Sequence, residues 1–418
     1  MSMLLGRPLV AVWLAVAALT IAPPSLAADP AASSAPTYED LIARLDALPT
    51  TREADALSEA AAARAQQARA LPNPTIAYDQ ENVYGTGQYS GTGNAETSLT
   101  INQPLELFGQ RSARIQAARS EASTADLRRE QTRWQAAGRL ALAYAQAEAA
   151  VRRHELAIET LSLTERDARG VAAMVEQGRE PTLRSIQAQA EVAAAAAALD
   201  EAKALRDGAF ARLSAIAMLE QPLQELGGSL LDRVPGNRPD AARPLAVQVA
   251  EAELDTAARR VAVERSRALP DVSASVGMRR FRETGDEAFT VGVELTVPLF
   301  DRNRGGIRAA HAEQRAAEAR LDAQRLDARA ERLAAEAALA ASNSRTRAAD
   351  SGVAAAEEAY RLARIGFDAG RISQLELRST RAALIAAHNT TIDARVARVI
   401  AEADLARLEG RAPFGVTP

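Results

Sequence analysis

The chain contains an internal repeat, and this repeat limits the possible folds more than any other feature of the sequence. Arg69-Ala70-Leu71-Pro72 recurs as Arg267-Ala268-Leu269-Pro270, at an offset of 198 residues. Pro104-Leu105 recurs as Pro298-Leu299 and Gly178-Arg179 as Gly370-Arg371, at offsets of 194 and 192. Each copy is predicted to hold two short strands followed by two very long helices. Four strands cannot close a barrel, and such helices cannot pack inside one globule. The repeat therefore indicates an oligomeric tube.

Two stretches, residues 111–177 and 307–365, are almost free of helix-breaking residues. At 1.5 Å per residue they predict helices of roughly 90–100 Å. Past Gly178 and Gly370, return helices are predicted over residues 183–219 and 375–409, so each repeat contains a helical hairpin. Shorter helices are predicted over residues 38–48, 52–70 and 245–268, with a break at Pro49.

The strand segments alternate between apolar and polar residues. Residues 72–87 and 95–105 predict a first hairpin, and residues 272–279 and 290–297 predict a second, cleaner one. Each segment is about 10 residues, the length that a tilted transmembrane strand needs. A soluble β-meander packed on the helices is the alternative. The aromatic residues favour the membrane because half of those outside the N-terminal signal cluster around the hairpins. They are Tyr78, Tyr84, Tyr89, Phe108, Phe281, Phe289 and Phe300.

The N-terminus has the pattern of a secretory signal. Arg7 supplies positive charge, residues 9–22 form an apolar core, and Ser25-Leu26-Ala27 predicts cleavage after Ala27. No later segment is apolar enough to cross a bilayer as a helix, so a membrane-spanning mature chain would have to use β-strands. The sequence has no cysteine. We therefore expect no disulfide, no catalytic thiol and no acylated N-terminal cysteine.

The predicted domain boundaries follow the repeat. They are 1–27, signal peptide; 28–71, N-terminal tail and helices; 72–220, first repeat; 221–244, connector or equatorial segment; 245–410, second repeat; 411–418, C-terminal tail.

The motifs at the element boundaries match a known family when they are taken together and in order. Before the hairpins stand Leu71-Pro72-Asn73-Pro74 and Leu269-Pro270. After the hairpins stand Gln103-Pro104-Leu105-Glu106-Leu107-Phe108-Gly109-Gln110-Arg111 and Val297-Pro298-Leu299-Phe300-Asp301. The second bend has Ala369-Gly370-Arg371-Ile372-Ser373-Gln374-Leu375-Glu376-Leu377, and the last helix has Ala403-Asp404-Leu405-Ala406-Arg407-Leu408-Glu409-Gly410. In this order the chain resembles the TolC family of trimeric outer-membrane efflux and secretion ducts. The longer motif after the first hairpin, residues 103–111 with Arg114 following, looks most like the cobalt–zinc–cadmium resistance branch of this family.

The resemblance implies a mainly α fold with a small β part. Three chains would form a homotrimer, with four transmembrane β-strands per chain in a shared twelve-stranded barrel within outer-membrane lipid. The coiled helical hairpins would continue as a periplasmic α-barrel. The implied partners are a periplasmic adaptor protein and an inner-membrane pump of the RND type. The implied function is a passive exit duct of a tripartite efflux system, with divalent heavy-metal cations as cargo. A duct for multidrug efflux or type I protein secretion stays open.

The bends near Gly178 and Gly370 are the candidate functional positions. Family members carry acidic residues at the second bend, and Glu376 stands at the matching place. The resemblance implies a ring of three Glu376 side chains that favours cations, with Arg184, Arg371 and Arg378 as neighbouring gate candidates. A second acidic family position aligns with Ser379, which departs from the pattern. Adaptor docking is expected over residues 176–185 and 368–379, with Gly178, Arg179, Gly370 and Arg371 at its centre.

Other classes of function lack a motif in this sequence. No phosphate-binding glycine loop, catalytic triad or metal-ligand cluster is present, so we expect neither an enzyme nor a bound cofactor or metal. The histidines, His154, His311 and His388, are isolated on helices. A net charge of −4 gives no reason to expect a nucleic-acid partner. A periplasmic coiled-coil scaffold without a pore is the alternative of another class, although it would not need four amphipathic strands.

Overall fold

The computed structural model describes residues 35–233 and 243–415. The predicted signal peptide, residues 234–242 of the predicted connector and the last three residues of the predicted tail lie outside the described part. The helices and strands are α1 (Tyr38–Ile42), α2 (Pro49–Gln67), β1 (Thr75–Glu81), β2 (Glu96–Leu105), α3 (Gln110–Glu176), α4 (Thr182–Ile216), α5 (Leu245–Ser266), β3 (Asp271–Phe281), β4 (Glu287–Thr296), α6 (Arg304–Asp368) and α7 (Gln374–Leu408). The chain is mainly helical with one small sheet, as predicted.

The two predicted long helices are present. Helix α3 has 67 residues and α6 has 65, so each is about 100 Å long. The break at Pro49 differs from the prediction, because Pro49 is the first residue of α2. Proline suits that position since its missing N–H would have no helical partner there. The chain before it forms only the short α1 and a 3₁₀ turn over Leu45–Ala47.

The two hairpins join into one antiparallel sheet with the order β1-β2-β3-β4. Strand β2 pairs with β3 from Glu96 opposite Phe281 to Leu105 opposite Val272, which connects the two repeats. Apolar residues from all four strands line up across the sheet in two adjacent rows. The rows are Ile76-Ile101-Val276-Val291 and Tyr78-Leu99-Met278-Phe289.

These rows form a continuous apolar face that is exposed in the single chain. Val291 is 85% exposed, Phe289 78% and Ile76 70%. The opposite face carries small and polar residues, such as the row Thr100-Gly277-Thr290. The predicted alternation is therefore confirmed in register, and the sheet has one face suited to an apolar medium. Within residues 35–233 and 243–415, no helix combines the length and apolar character needed to cross a bilayer.

The long helices lie side by side. Next to the sheet, neighbouring helices pack in the order α2, α3, α5, α6, and toward the helical turns they pack in the order α4, α3, α7, α6. Each of these two rows of helices is called a layer below. Each layer therefore has two outer helices, α2 and α6 in the first and α4 and α6 in the second. The main core lies between α3 and α7, where alanines such as Ala137 and Ala141 are fully buried and allow close helix approach.

The first part of the predicted connector contributes to this core. Leu230 and Leu231 are buried, and their backbone N–H groups donate to the Glu148 carboxylate on α3 at 2.7 and 3.0 Å. From α7, the Arg398 guanidinium donates to the carbonyl of Leu231 at 2.7 Å. The segment thus fastens α3 to α7 and is packed against both helices up to residue 233.

Candidate functional site

Each helical hairpin turns at a glycine in the left-handed conformation. Gly178 and Gly370 both have φ +69°, which L-residues with a side chain rarely adopt. After α3, Arg179 N–H donates to the Met174 carbonyl at 2.9 Å. After α6, Arg371 N–H donates to the Gly366 carbonyl at 2.8 Å. The two tips are therefore built alike, and the glycine of each repeat ends its long helix.

The two tips lie next to each other within one chain. The Arg179 guanidinium comes within 3.8 Å of the position that a Cβ atom at Gly370 would occupy. Gly178, Arg179, Gly370 and Arg371, the predicted docking residues, are all exposed. The structure therefore places these residues on one end of the paired helical hairpins.

Glu376 lies in the first turn of α7. Ser373 caps this helix, and its hydroxyl accepts from the Glu376 N–H at 3.3 Å. The Glu376 side chain is exposed, and among the described residues no side chain pairs with its carboxylate. A free carboxylate at the N-terminus of a helix is favourably placed in the field of that helix.

The three arginines predicted beside Glu376 do not pair with it. Arg184 donates to the amide oxygen of Gln187 at 3.3 Å, and Arg371 is exposed. Arg378 pairs with Glu191 on α4, at 2.7 Å. The structure therefore separates Arg378 from a direct contact with Glu376 and assigns it to a link between α4 and α7.

A further arginine, Arg381, forms the centre of this link and was not predicted from the sequence. Its guanidinium donates to Asp167 on α3 at 2.5 Å and to Glu191 on α4 at 2.9 Å. The Arg381 side chain is only 9% exposed. Burial raises the pKa of the Asp167 carboxyl, and the neighbouring Arg381 opposes that shift. One buried arginine thus holds three helices together close to the tips.

Apolar side chains surround the link. Leu163 and Val171 of α3, Tyr360 and Phe367 of α6, and Leu377 of α7 form a separate buried cluster there. Burial raises the pKa of the Tyr360 hydroxyl, with the Asp167 charge adding to the shift. The ion pairs therefore lie in a region with little water, where electrostatic interactions are stronger.

One signal in the sequence could have pointed to the link. Arg378 and Arg381 are three residues apart and so lie on one side of α7. The partners of Arg381 are 190 and 214 residues away in the chain, and Arg378 shares one of them, Glu191, so local sequence patterns do not reveal these pairs. Among the residues described by the structure, no group of three or more His, Cys, Asp or Glu side chains is placed to hold a metal ion.

Comparison with known proteins places this geometry in context. The family model described as outer membrane efflux protein matches residues 45–217 and 241–411. The nickel-cobalt-cadmium resistance protein NccC of Alcaligenes xylosoxydans xylosoxydans is 40% identical over 300 residues, 71% of this chain and 68% of the relative. The nickel and cobalt resistance protein CnrC of Cupriavidus metallidurans is 41% identical over 71% of this chain and 72% of its own length.

Solved channel structures share the fold. The open state of the Neisseria gonorrhoeae MtrE outer membrane channel superposes with a TM-score of 0.78 at 19% sequence identity, over 92% of both chains. The TolC-like fold predicted from the sequence is confirmed.

Proposed function

The chain belongs to the outer membrane efflux protein family, and on this basis we propose that it is the outer-membrane exit duct of a tripartite efflux system for divalent heavy-metal cations. The family is one of efflux proteins, so the chain is not an enzyme. The cargo is inferred from the relatives, since the protein that is 40% identical is a nickel-cobalt-cadmium resistance protein and the one that is 41% identical is a nickel and cobalt resistance protein.

The observation that most supports a duct is the pair of open edges in the sheet. In the described part of the chain, strands β1 and β4 each pair with one neighbour, while the apolar face runs across all four strands. Unpaired edge groups and an exposed apolar face are both costly in isolation. Three copies that pair β4 of one chain with β1 of the next would remove both costs. They would give a barrel with the apolar face in the lipid and the polar face around the pore.

The same arrangement continues in the helices. Helices α2 and α6 are the outer helices of the layer next to the sheet, and among the described residues no further helix packs beyond either of them in that layer. Closing the sheet by three copies would also bring α6 of one chain beside α2 of the next. We propose that the helices of the trimer line the periplasmic part of the same duct.

The tips are the proposed docking surface for the periplasmic adaptor, which would connect the duct to an inner-membrane pump of the RND type. Gly178, Arg179, Gly370 and Arg371 are exposed there, and within the described residues neither arginine side chain takes part in an ion pair. Reversing the charge of Arg179 and Arg371 together should abolish in-cell crosslinking to the adaptor. Normal efflux and crosslinking in that variant would remove the tips from the docking surface.

Glu376 is the proposed gate residue, since its carboxylate is exposed and unpaired at the start of α7. A ring of three such carboxylates would favour cations over anions. In a planar bilayer, Glu376→Ala should reduce cation preference and change the conductance. Glu201→Ala, an exposed carboxylate far along α4, is the matched control and should match the native channel. Identical cation preference in Glu376→Ala and the native protein would reject the gate.

The trimeric duct itself is tested by the purified full-length protein. It should migrate as a trimer that dissociates on heating, fractionate with the outer membrane and form ion-conducting pores. A monomer in the periplasmic fraction would contradict the duct and favour a scaffold without a pore.

A further inference from the structure

Four large apolar side chains near the tips are more than half exposed in the single chain. Leu183 and Ile186 on α4 are each 60% exposed, and Leu362 and Ile365 on α6 are 54% and 55% exposed. Each pair points away from the buried side of its helix, which Ala188 of α4 and Tyr360 and Phe367 of α6 mark. Covering such apolar side chains by another surface would be favourable.

The two pairs lie on the two outer helices of the layer. Near the tips the neighbours follow the order α4, α3, α7, α6, so α4 and α6 are at opposite ends. These are the ends that face other copies if the sheet edges β1 and β4 are closed by other copies. The exposed apolar pairs therefore lie where one chain of the proposed trimer would meet the next.

The two pairs also lie at similar heights near the tips. Leu183 and Ile186 are in the first turns of α4, which begins at Thr182, and Leu362 and Ile365 are in the last turns of α6, which ends at Asp368. At 1.5 Å per residue the first pair lies ~1.5 and ~6 Å from its helix end and the second pair ~4.5 and ~9 Å, a difference of ~3 Å that apolar side chains can span. A rotation about an axis parallel to the helices does not change the height of a residue along that axis. It would therefore bring α4 of one copy beside α6 of the next with the two pairs at nearly the same height.

The charges beside the two pairs are complementary. Arg184, next to Leu183, has no carboxylate partner within the described residues, since its guanidinium contacts only Gln187. Asp368, three residues after Ile365, is exposed and has no basic partner in the same part of the chain. An ion pair between copies would satisfy both groups and would flank the apolar contact.

We infer that Leu183 and Ile186 of one copy pack against Leu362 and Ile365 of the next copy, flanked by an Arg184–Asp368 ion pair, and that this apolar lock between copies holds the tips of the duct together. The inference rests on the proposed trimer. It differs from the Glu376 ring because the lock lies between chains and would act on the position of the tips, whereas the ring acts on the ions that pass.

Disulfide crosslinking tests the lock, since the chain has no cysteine of its own. The full-length double variant Ile186→Cys with Leu362→Cys, oxidised in the outer membrane, should give covalent dimers and trimers that disappear on reduction. Leu205→Cys with Leu362→Cys is the matched control. Leu205 is 61% exposed on α4 but 27 residues beyond Gly178, so its thiol should remain uncrosslinked.

A second measurement tests the proposed ion pair between Arg184 of one copy and Asp368 of the next. Arg184→Asp should reduce crosslinking of the 186–362 pair, and adding Asp368→Arg should restore it. Trimer that forms and fractionates normally but gives no 186–362 crosslink, or an equal yield from the 205–362 control, would overturn the lock and leave the duct intact. Absence of any trimer in the native chain would overturn both the lock and the duct.

Discussion

The guanidinium of Arg381 on α7 lies 2.5 Å from the carboxylate of Asp167 on α3, in a region from which water is largely excluded. The same guanidinium also reaches Glu191 on α4. Because the three helices come from both repeats, this arginine ties the first helical hairpin to the second. The position of one tip relative to the other therefore depends on this side chain, together with Arg378, which pairs with the same Glu191.

Removing this arginine should loosen the tips. Arg381→Met leaves the carboxylates of Asp167 and Glu191 without their shared cation, and breaking a buried pair in this way costs about 3 kcal/mol or more. Hydrogen exchange over residues 160–195 and 365–385 should accelerate. The control is Arg361→Met, which breaks a solvent-exposed pair with Glu358 and should leave the exchange rates nearly unchanged, because water screens such pairs. Equal exchange in the two variants would contradict the link.

Two aspartates should give pH dependences of opposite sign. Burial raises the pKa of Asp167, whereas the hydrogen bond from Arg152 lowers the pKa of Asp232 in the connector. The native state therefore holds the Asp167 proton more tightly than the unfolded chain does. The contribution of Asp167 to stability is present below the ordinary aspartate pKa and is lost as the pH rises through the raised pKa of the folded state. The Asp232 contribution is present above the ordinary pKa and is lost as pH falls through the lowered value.

Thermal unfolding of the purified protein over acidic pH measures both effects. Compared with the native protein, Asp232→Asn should lose less stability on acidification, because the group responsible is absent. Asp167→Asn should lose less stability as pH rises from the acid range. The same pH slope in both variants and in the native protein would contradict these assignments.

The Glu148 carboxylate should control the order of the connector. It is buried, accepts from the backbone of Leu230 and Leu231, and also accepts from Arg152 at 2.6 Å. In Glu148→Gln the charge-assisted bonds are lost, at a cost of about 2 kcal/mol. The amides of Leu230 and Leu231 should then exchange roughly 30-fold faster. Glu155→Gln, an exposed position on the same helix, should leave them unchanged.

The two faces of β4 should respond differently to the same substitution. Val291 lies on the apolar face, and an arginine there should cost about 2–4 kcal/mol if that face meets the middle of the bilayer. The preceding residue, Thr290, lies on the polar face beside Gly277. The Thr290→Arg variant should therefore still assemble. Heat-modifiable mobility of the outer-membrane fraction measures assembly. Normal assembly of Val291→Arg would place this face outside the lipid.

Local patterns were sufficient to predict most of the fold. Period-two alternation predicted the faces of the strands because side chains of a strand point to alternate sides. The breaker-free runs predicted α3 and α6 to within a few residues, and glycine predicted both turns because only glycine adopts that backbone without strain. Composition also indicated that residues 221–244 are not helical, but it could not indicate that Leu230 and Leu231 would dock on Glu148.

The tip chemistry was predicted less completely, for a physical reason. Glu376 could be proposed because it stands where the resembled family carries acidic residues at the second bend, and its role as a gate stays a prediction. The Arg381 link joins positions 190 and 214 residues apart, so it depends on how the two repeats pack. The sequence analysis named Arg378 as a gate candidate, which stays a prediction, but it did not predict the pair of Arg378 with Glu191.

The most direct test of the proposed function is a susceptibility panel on a strain from which this chain has been deleted. The panel should include nickel, cobalt, zinc, cadmium and copper beside dyes, detergents and antibiotics, with the native chain supplied back as the control. We predict greater sensitivity to divalent metals, reversed by the native chain, and unchanged sensitivity to dyes and antibiotics. Unchanged metal tolerance together with sensitivity to dyes and antibiotics would contradict the metal cargo and indicate a multidrug duct.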